Sequence, residues 1–322
     1  MLCDRRRWDR RCATASSTAA KHAAHFCHLC GTRLHSRYLV YNATLVVCAA
    51  CDASALRCAR CGVPIARTAI QGTDPLCASC ARDAPRCAGC GLPITSTWYT
   101  FEELLPVGAP RKFCPRCVQG RPRCDLCRAP VADGAQPLAD GQYRCALCRS
   151  EMVQEVADVL TLYHDAVTQV ARVLRGQVRE TPRLEIVSRR KMGEIRRRYE
   201  HRSSEPAAAS HHVLGYFVQA HGVSTIYAEA CLPRGLLLGT LAHELAHAWQ
   251  TEQGLHLKDA LVREGFAEWV AYRVLTARGL SALAERATRR DDIYGRGLRH
   301  FLNIENRFGF AGVVKRANGQ AL

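Results

Sequence analysis

The chain of 322 residues contains no long apolar run. Its longest stretch without Lys, Arg, Asp or Glu, residues 206–228, holds three His, two Ser and a Gln, so it is too polar to cross a bilayer. No apolar segment follows the arginine-rich N-terminus, and a secretory signal is therefore not expected. Aromatic residues are scarce, at 7%. These absences exclude integral membrane proteins and conventionally secreted proteins, and they favour a cytoplasmic protein without a membrane partner.

The remaining composition is that of a globular protein, and the length favours two domains. The formal charge of +16 suggests a nucleic-acid partner at first sight. It falls to about +10 if the paired cysteines bind metal as thiolates and five divalent ions are counted. The basic charge is therefore weak evidence for nucleic acid, which we do not expect as a partner.

Four stretches follow one another along the chain. Residues 1–25 are predicted to form a basic disordered arm, in which Cys3 and Cys12 lack pair spacing and are expected to be free thiols. Residues 26–150 contain every Cys-x-x-Cys, and residues 151–322 form a second domain that begins with a helix over 151–176. The apolar stripe of that helix consists of Val153, Val156, Val159, Leu160, Tyr163, Val167, Val170 and Leu174.

The cysteine-rich region is an internal repeat, because FCHLCGTRL, RCARCGVPI, RCAGCGLPI and RCDLCRAPV are four versions of one opening. Each opening is followed by a second Cys-x-x-Cys, and two such turns supply four thiolates to one tetrahedral ion. The natural grouping is sequential. It gives four structural zinc sites: Cys27, Cys30, Cys48 and Cys51; Cys58, Cys61, Cys77 and Cys80; Cys87, Cys90, Cys114 and Cys117; and Cys124, Cys127, Cys145 and Cys148.

Other uses of these cysteines compete with structural zinc. Disulfides need an oxidising compartment, iron–sulfur clusters prefer other spacings, and redox pairs usually occur in a strand–helix context. Interleaved pairing between repeats stays open. Zinc ribbons bind DNA, RNA or proteins, or only support a neighbouring domain. The sole aromatic cluster of the repeats, Trp98, Tyr99 and Phe101, is too small for a single-strand stacking surface, so protein recognition is preferred.

A second metal motif lies in residues 235–251, which are predicted to form a buried helix. HELAH places His243 and His247 one turn apart on one face, where two imidazoles can meet one zinc ion. Glu244 lies beside them and can accept a proton from a metal-bound water. The alternative is a core helix with two hydrogen-bonded histidines.

A second helix, predicted over residues 263–272, argues against a core helix with two hydrogen-bonded histidines. A short turn would bring it beside the first helix, so that Glu264 completes a set of two histidines and one glutamate. Glu268, one turn further on, is suited to accept a hydrogen bond from the N–H of a metal-ligand imidazole. A solvated glutamate pair is the competing interpretation.

The sequence is similar to a known family at these motifs. EGFAE after HExxH resembles the thermolysin-related glutamate-zincins. More closely, CLPRGLLLGTLAHELAHAWQ, REGFAEW and DDIYGRGLRHF resemble the plant ubiquitin-activated LIM-domain peptidases that limit organ size. The similarity covers about 226–315, and the cysteine region only in arrangement. It departs in the cysteine region, where six residues rather than two separate neighbouring zinc units and no histidine is a ligand, so we call this region LIM-like.

The resemblance implies an α+β fold with a zincin-type, thermolysin-like metallopeptidase domain behind four tandem zinc-ribbon repeats. It implies a zinc-dependent endopeptidase in which His243, His247 and Glu264 bind the catalytic zinc and Glu244 is the general base. The cofactors are then one catalytic and four structural Zn²⁺ ions. Residues 1–25 do not resemble a ubiquitin-binding segment, so the resemblance does not imply activation by ubiquitin. A ubiquitin-like or other protein partner of the LIM-like region remains an open alternative.

Three further expectations concern mechanism. Substrate is expected to extend along an edge strand, for which Val223–Ala228 is the candidate. Tyr294 is the candidate oxyanion donor, although it could instead be a packed aromatic of a turn. The basic segment 189–202 is interpreted as a solvated face, with contact to an acidic substrate or a nucleic acid as the minority interpretation.

Two other functions compete with an active peptidase. One is a zinc-ribbon module that binds protein or nucleic acid and carries an inactive zincin scaffold. The other is a protease linked to nucleic acid through the basic arm and residues 189–202.

Overall fold

The computed structural model describes residues 4–7, 15–18, 25–34, 38–66, 74–95, 97–101, 104, 110–176, 178–200, 213–255 and 259–321. The chain divides into two compact units. Unit 1 comprises residues 1–103 and 107–136, and unit 2 comprises residues 104–106 and 137–322. The sequence analysis expected a boundary near residue 150.

Unit 1 is built from short elements between the Cys-x-x-Cys turns. They are β1 (Asp4–Arg7), β2 (Ala15–Thr18), β3 (His25–Phe26), β4 (Arg33–Leu34), β5 (Tyr38–Tyr41), β6 (Leu45–Cys48), α1 (Ala49–Ser54), β7 (Leu56–Arg57), β8 (Pro64–Ile65), α2 (Ala78–Asp83), β9 (Thr97–Thr100) and α3 (Pro115–Gly120). The largest sheet has three antiparallel strands in the order β2-β5-β6, and β1 pairs with β9. Buried cysteines and a few apolar side chains, such as Val47 and Leu76, form the small core.

Within the stretch that was expected to be a disordered arm, the structure therefore describes two strands, β1 and β2. The predicted free thiols Cys3 and Cys12 lie outside the described residues.

Unit 2 combines one small sheet with seven helices among its described residues. The elements are α4 (Ala146–Ser150), α5 (Val156–Leu174), β10 (Arg183–Val187), α6 (Arg189–Glu200), β11 (Gly215–Ala220), β12 (Val223–Glu229), α7 (Arg234–Glu252), α8 (Ala260–Ala277), α9 (Ser281–Thr288) and α10 (Ile293–Ala317). The sheet order is β10-β12-β11, with β10 parallel and β11 antiparallel to β12. In the described part of the chain, no helix is long and apolar enough to traverse a lipid bilayer.

The sheet order corrects one expectation. Residues 223–228, the candidate edge strand, lie in β12, which pairs on both sides and is central. Among the described strands the edges are β10 and β11. Alternating apolar residues mark a strand but do not give its place in the sheet, because that place depends on pairing with distant segments.

The core of unit 2 lies where α7, α8 and α10 meet. Phe266 of α8 is fully buried, with its ring 5.3 Å from that of Trp249 on α7 and 5.8 Å from that of Phe301 on α10. At the crossing of α8 and α10, Gly265 faces Gly297, and a Cβ on Gly265 would lie 2.6 Å from the Cα of Gly297. The two helices approach this closely because neither residue has a side chain, and the contact sets the distance between α8 and α10.

The leading helix α5 is shorter than predicted, and its buried face is partly different. Val159, Tyr163, Val170 and Leu174 are buried as the predicted stripe requires. Val156 is 72% exposed and Leu160 is 46% exposed, whereas Leu162 and Ala166 are buried. The stripe was therefore placed about one position away from the true core face at the start of the helix.

Candidate metal centre

Four clusters of four cysteines follow one another along the chain in the sequential grouping. Facing Sγ atoms of three clusters lie 3.9 Å apart for Cys30 and Cys48, 3.8 Å for Cys61 and Cys77, and 3.9 Å for Cys90 and Cys114. A tetrahedral zinc with four thiolates requires about 3.8 Å between sulfur atoms. A disulfide requires about 2.05 Å. The donor sets therefore suit structural metal ions of the zinc-ribbon type.

The local backbone explains why each repeat can present its thiolates. The first pair of each unit forms a tight turn whose next residue has a positive φ, and glycine occupies it in three units, as at Gly62 with φ 76°. Arg128 takes this conformation in the fourth unit. The second pair begins a short helix, since Cys48, Cys77, Cys114 and Cys145 are the N-cap residues of α1, α2, α3 and α4. A helix N-terminus favours a negatively charged sulfur.

Backbone amides favour a thiolate at Cys58 and Cys87, the first cysteines of their turns, whereas burial is the main cause that raises the pKa of Cys61 to about 11. Burial raises the pKa of the Cys58 thiol, but the amides of Cys61 and Cys77 outweigh it and lower the pKa to about 7. The amide of Cys114 similarly donates to the Sγ of Cys87 at 3.2 Å. A thiol that ionises easily is a good zinc ligand.

The fifth donor set lies where α7 meets α8. His243 and His247 are one turn apart on α7, and their Nε2 atoms are 3.1 Å apart. Glu264, near the start of α8, places its Oε2 3.3 Å from the Nε2 of His243 and 3.4 Å from that of His247. Ligands at the corners of a tetrahedral zinc with bonds of 2.0–2.1 Å lie about 3.3 Å apart. These three residues could therefore hold a metal ion on one triangular face and leave its fourth position open.

Two side chains lie at the Nδ1 atoms of the histidines. Gln250, only 3% exposed, accepts at its Oε1 a hydrogen bond of 2.8 Å from His247 Nδ1, and its Nε2 donates to the carbonyl of Arg263 at 3.2 Å. Glu268 lies 3.5 Å from His243 Nδ1, on the side where an acceptor for the imidazole N–H is expected. The sequence analysis missed Gln250, although its position three residues after His247 places both on one helix face.

The electrostatics of the site favour a cation. Burial would lower the pKa of His243, but Glu264, Glu268 and Glu244 raise it to about 9. Burial would raise the pKa of Glu264, but His247 and His243 lower it well below its usual range. Three carboxylates thus surround two imidazoles, and this excess of negative charge suits a divalent ion.

Glu244 lies on the sheet side of the same helix and is 6% exposed. Its carboxylate accepts a hydrogen bond from the backbone of Phe217 in β11, and burial raises its pKa. A Cβ on Gly215 would lie 2.7 Å from Glu244 Oε1, so only glycine leaves room for the carboxylate at the start of β11. Glu244 is therefore held between the metal-binding helix and the edge strand.

Tyr294 lies near the donor set, with its ring centroid 5.9 Å from that of His243. It belongs to the first turn of α10 rather than to a loop turn, because Asp292 caps that helix at the amide of Gly295. Burial, followed by the charges of nearby glutamates, raises the pKa of Tyr294, so its hydroxyl stays protonated and can donate. Arg290 lies 4.7 Å over the Tyr294 ring and also contacts Glu268 at 3.4 Å.

Comparisons with protein-family models, with curated proteins and with solved structures find no match for this chain. The donor sets themselves therefore carry the functional argument.

Proposed function

We propose that the chain is a zinc-dependent endopeptidase that cleaves protein substrates. The observation that supports it best is the triangle of donors on His243, His247 and Glu264, with separations of 3.1–3.4 Å, next to the buried carboxylate of Glu244. A structural zinc site usually closes with four protein ligands, whereas a catalytic site keeps a position for water. Three protein donors and an adjacent acid–base group match the catalytic type.

The chemistry assigned to the residues follows from their positions. A zinc ion held by the three donors would supply a Lewis acid and an acidified water. Glu244 takes the proton from the attacking water and passes it to the leaving amine, and its raised pKa suits a group that must hold a proton transiently. Tyr294 donates its hydroxyl proton in a hydrogen bond to the developing oxyanion.

The substrate lies along β11 in this proposal. Among the described strands β11 pairs only with β12, so its other edge can accept an extended peptide. Because the Phe217 backbone contacts Glu244, a peptide on this edge passes directly beside the general base. This replaces the assignment of residues 223–228, which form the central strand.

The remaining parts of the proposal concern fold, partners and location. Unit 2 is a zincin-type domain similar to that of the LIM-domain peptidases, and the LIM-like clusters recruit protein partners or restrain activity. Sixteen cysteines in metal-binding clusters need a reducing compartment to stay available as ligands, which favours the cytoplasm.

A cleavage assay on an unfolded, fluorescently labelled protein tests the activity. The zinc-loaded wild-type chain should cleave it, and Glu244→Gln should lose at least about 100-fold in rate because the proton acceptor is gone. Glu285→Gln, the same change at an exposed glutamate of α9, is the matched control and should cleave normally. If Glu244→Gln cleaves like the wild type, the assigned mechanism is wrong. If zinc-loaded wild type does not cleave, the binding-module alternative is favoured.

A further inference from the structure

A basic helix flanks the edge strand on which the proposed substrate lies. Helix α6 carries six basic and two acidic residues. Met192 and Ile195 are buried at 2% and 7% exposure, and four of the six basic residues are exposed, namely Arg190, Lys191, Arg197 and Arg198. The helix is therefore held to the domain by its apolar residues, and its exposed positive charges can contact a bound ligand.

The charge of α6 is not evenly compensated along its length. In its first half, Glu194 lies 3.9 Å from Arg190 and 3.3 Å from Lys191. In its second half Arg197 and Arg198 are exposed, and within the described part of the chain no carboxylate forms an ion pair with either. The C-terminal half of α6 thus presents the uncompensated positive charge.

This C-terminal half lies beside the edge of β11. Tyr199, residues 216–220 of β11 and His221 of the following turn line a cleft of about 450 Å³. Arg198 lies 5.8 Å from the ring centroid of Tyr199 and is thus next to a residue that lines this cleft. Burial raises the pKa of Tyr227, the cross-strand neighbour of Tyr216, and Arg198 opposes that shift, in agreement with this placement.

The distance along the strand relates this cleft to the cleaved bond. Phe217 contacts the general base, and the cleft continues to His221, four residues further along the chain. At about 3.3 Å per residue this is roughly 13 Å, so the cleft spans about four substrate residues counted from the cleaved bond.

We propose that Arg198, together with the neighbouring Arg197, selects substrates that carry Asp or Glu within about four residues of the cleaved bond, bound in the cleft between α6 and β11. This inference rests on the proposed peptidase function, because β11 is taken as the substrate strand. Exposed arginines beside a backbone-binding edge add specificity through charge rather than most of the affinity.

Two measurements on the full chain test this assignment. In the first, a proteome-derived peptide mixture is digested, and the cleavage positions are mapped by mass spectrometry at 0.15 M salt. Acidic residues should be enriched within about four positions of the cut. Arg197→Glu/Arg198→Glu should abolish the enrichment. Arg190→Glu/Lys191→Glu, the same charge change at the other end of α6, should retain it, because the Debye length is then only about 8 Å.

The second measurement does not need activity. In the Glu244→Gln background, a fluorescent peptide with glutamates at alternating positions should bind about tenfold more tightly than its glutamine counterpart. Arg197→Glu/Arg198→Glu should reduce that ratio to about one, and the control pair should change it less than about threefold. These effects are expected from two exposed charge contacts.

The outcomes separate the two claims. If the wild type makes no cuts, the proposed peptidase function is wrong. The ratio of binding to the glutamate and glutamine peptides would then be the only test of the charge selectivity. Cuts without acidic enrichment would overturn the inference and leave the function standing. The proposal of acidic-substrate selection is wrong if both peptides bind equally well. If a DNA duplex then binds and this binding depends on Arg197 and Arg198, the basic surface is a nucleic-acid site instead.

Discussion

The glycine contact between α8 and α10 predicts how sensitive the metal site is to helix packing. A Cβ added at Gly265 would lie 2.6 Å from the Cα and 2.8 Å from the carbonyl oxygen of Gly297. Carbon atoms in contact are normally about 3.5–4.0 Å apart, so Gly265→Ala must separate the two helices by about 1 Å.

The size of the effect follows from two opposing terms. Overpacking of this kind costs about 1–3 kcal/mol, and replacing a helical glycine by alanine returns about 0.5–1 kcal/mol. The free energy of unfolding should therefore fall by roughly 0.5–2 kcal/mol. Glu264 precedes Gly265 directly, and a shift of α8 disturbs its 3.3 Å and 3.4 Å separations from the histidines. Zinc affinity at this site should fall at least about tenfold.

Urea unfolding and competitive zinc titration measure the two effects. Gly193→Ala in α6 is the matched control, because its Cβ would meet only the flexible end of Arg197 at 3.6 Å. This control should gain about 0.5–1 kcal/mol and bind zinc normally. If Gly265→Ala is as stable as the wild type and keeps full zinc affinity, the close approach of the two helices is not what holds Glu264 in place.

Three other predictions concern the histidine support, a buried ion pair and the cysteine clusters. Gln250→Leu removes the contact to His247 Nδ1 and should lower zinc affinity about 10–100-fold in the same titration, with little change in the four cysteine sites. Arg144→Met removes the guanidinium that lies 3.3 Å from Glu229 in a pair that is 0% and 1% exposed, so the buried carboxylate loses an opposite charge. Urea unfolding should show a loss of about 3–5 kcal/mol, and the double variant Arg144→Met/Glu229→Leu should recover much of it. A chelator should remove zinc first from the first cluster, which contains the exposed Cys30, and last from the fully buried fourth cluster; release in the reverse order, followed on variants that lack one cluster, would contradict this burial argument.

Spacing along the chain predicted the donor sets better than it predicted the packing around them. The Cys-x-x-Cys rhythm and the HExxH spacing place ligands by local geometry, namely a turn or one turn of helix. The approach of Glu264 to the histidines required only a short connection between two consecutive helices. The structure brings these residues together as the sequence analysis expected.

Features that depend on distant segments were not predictable in the same way. The sequence predicts an edge strand over residues 223–228, but β10 and β11 pair with this segment on either side. The sequence of a strand does not show which distant segments pair with it. Leu160 fits an apolar stripe yet is 46% exposed, because α5 buries the face that carries Val159, Leu162 and Tyr163, and Leu160 lies outside it. Gln250 was missed because a buried glutamine is recognised only when its partner is known.

Zinc stoichiometry tests the central claim most directly, because the account needs a fifth site that differs from the four cysteine sites. Elemental analysis should find about five zinc ions per chain in the wild type and in Glu244→Gln, since Glu244 is not a ligand. The double variant His243→Ala/His247→Ala should hold about four, because only the cysteine clusters remain. Four zinc ions in all three proteins would mean that His243, His247 and Glu264 bind no zinc, and the peptidase proposal would then lose its basis.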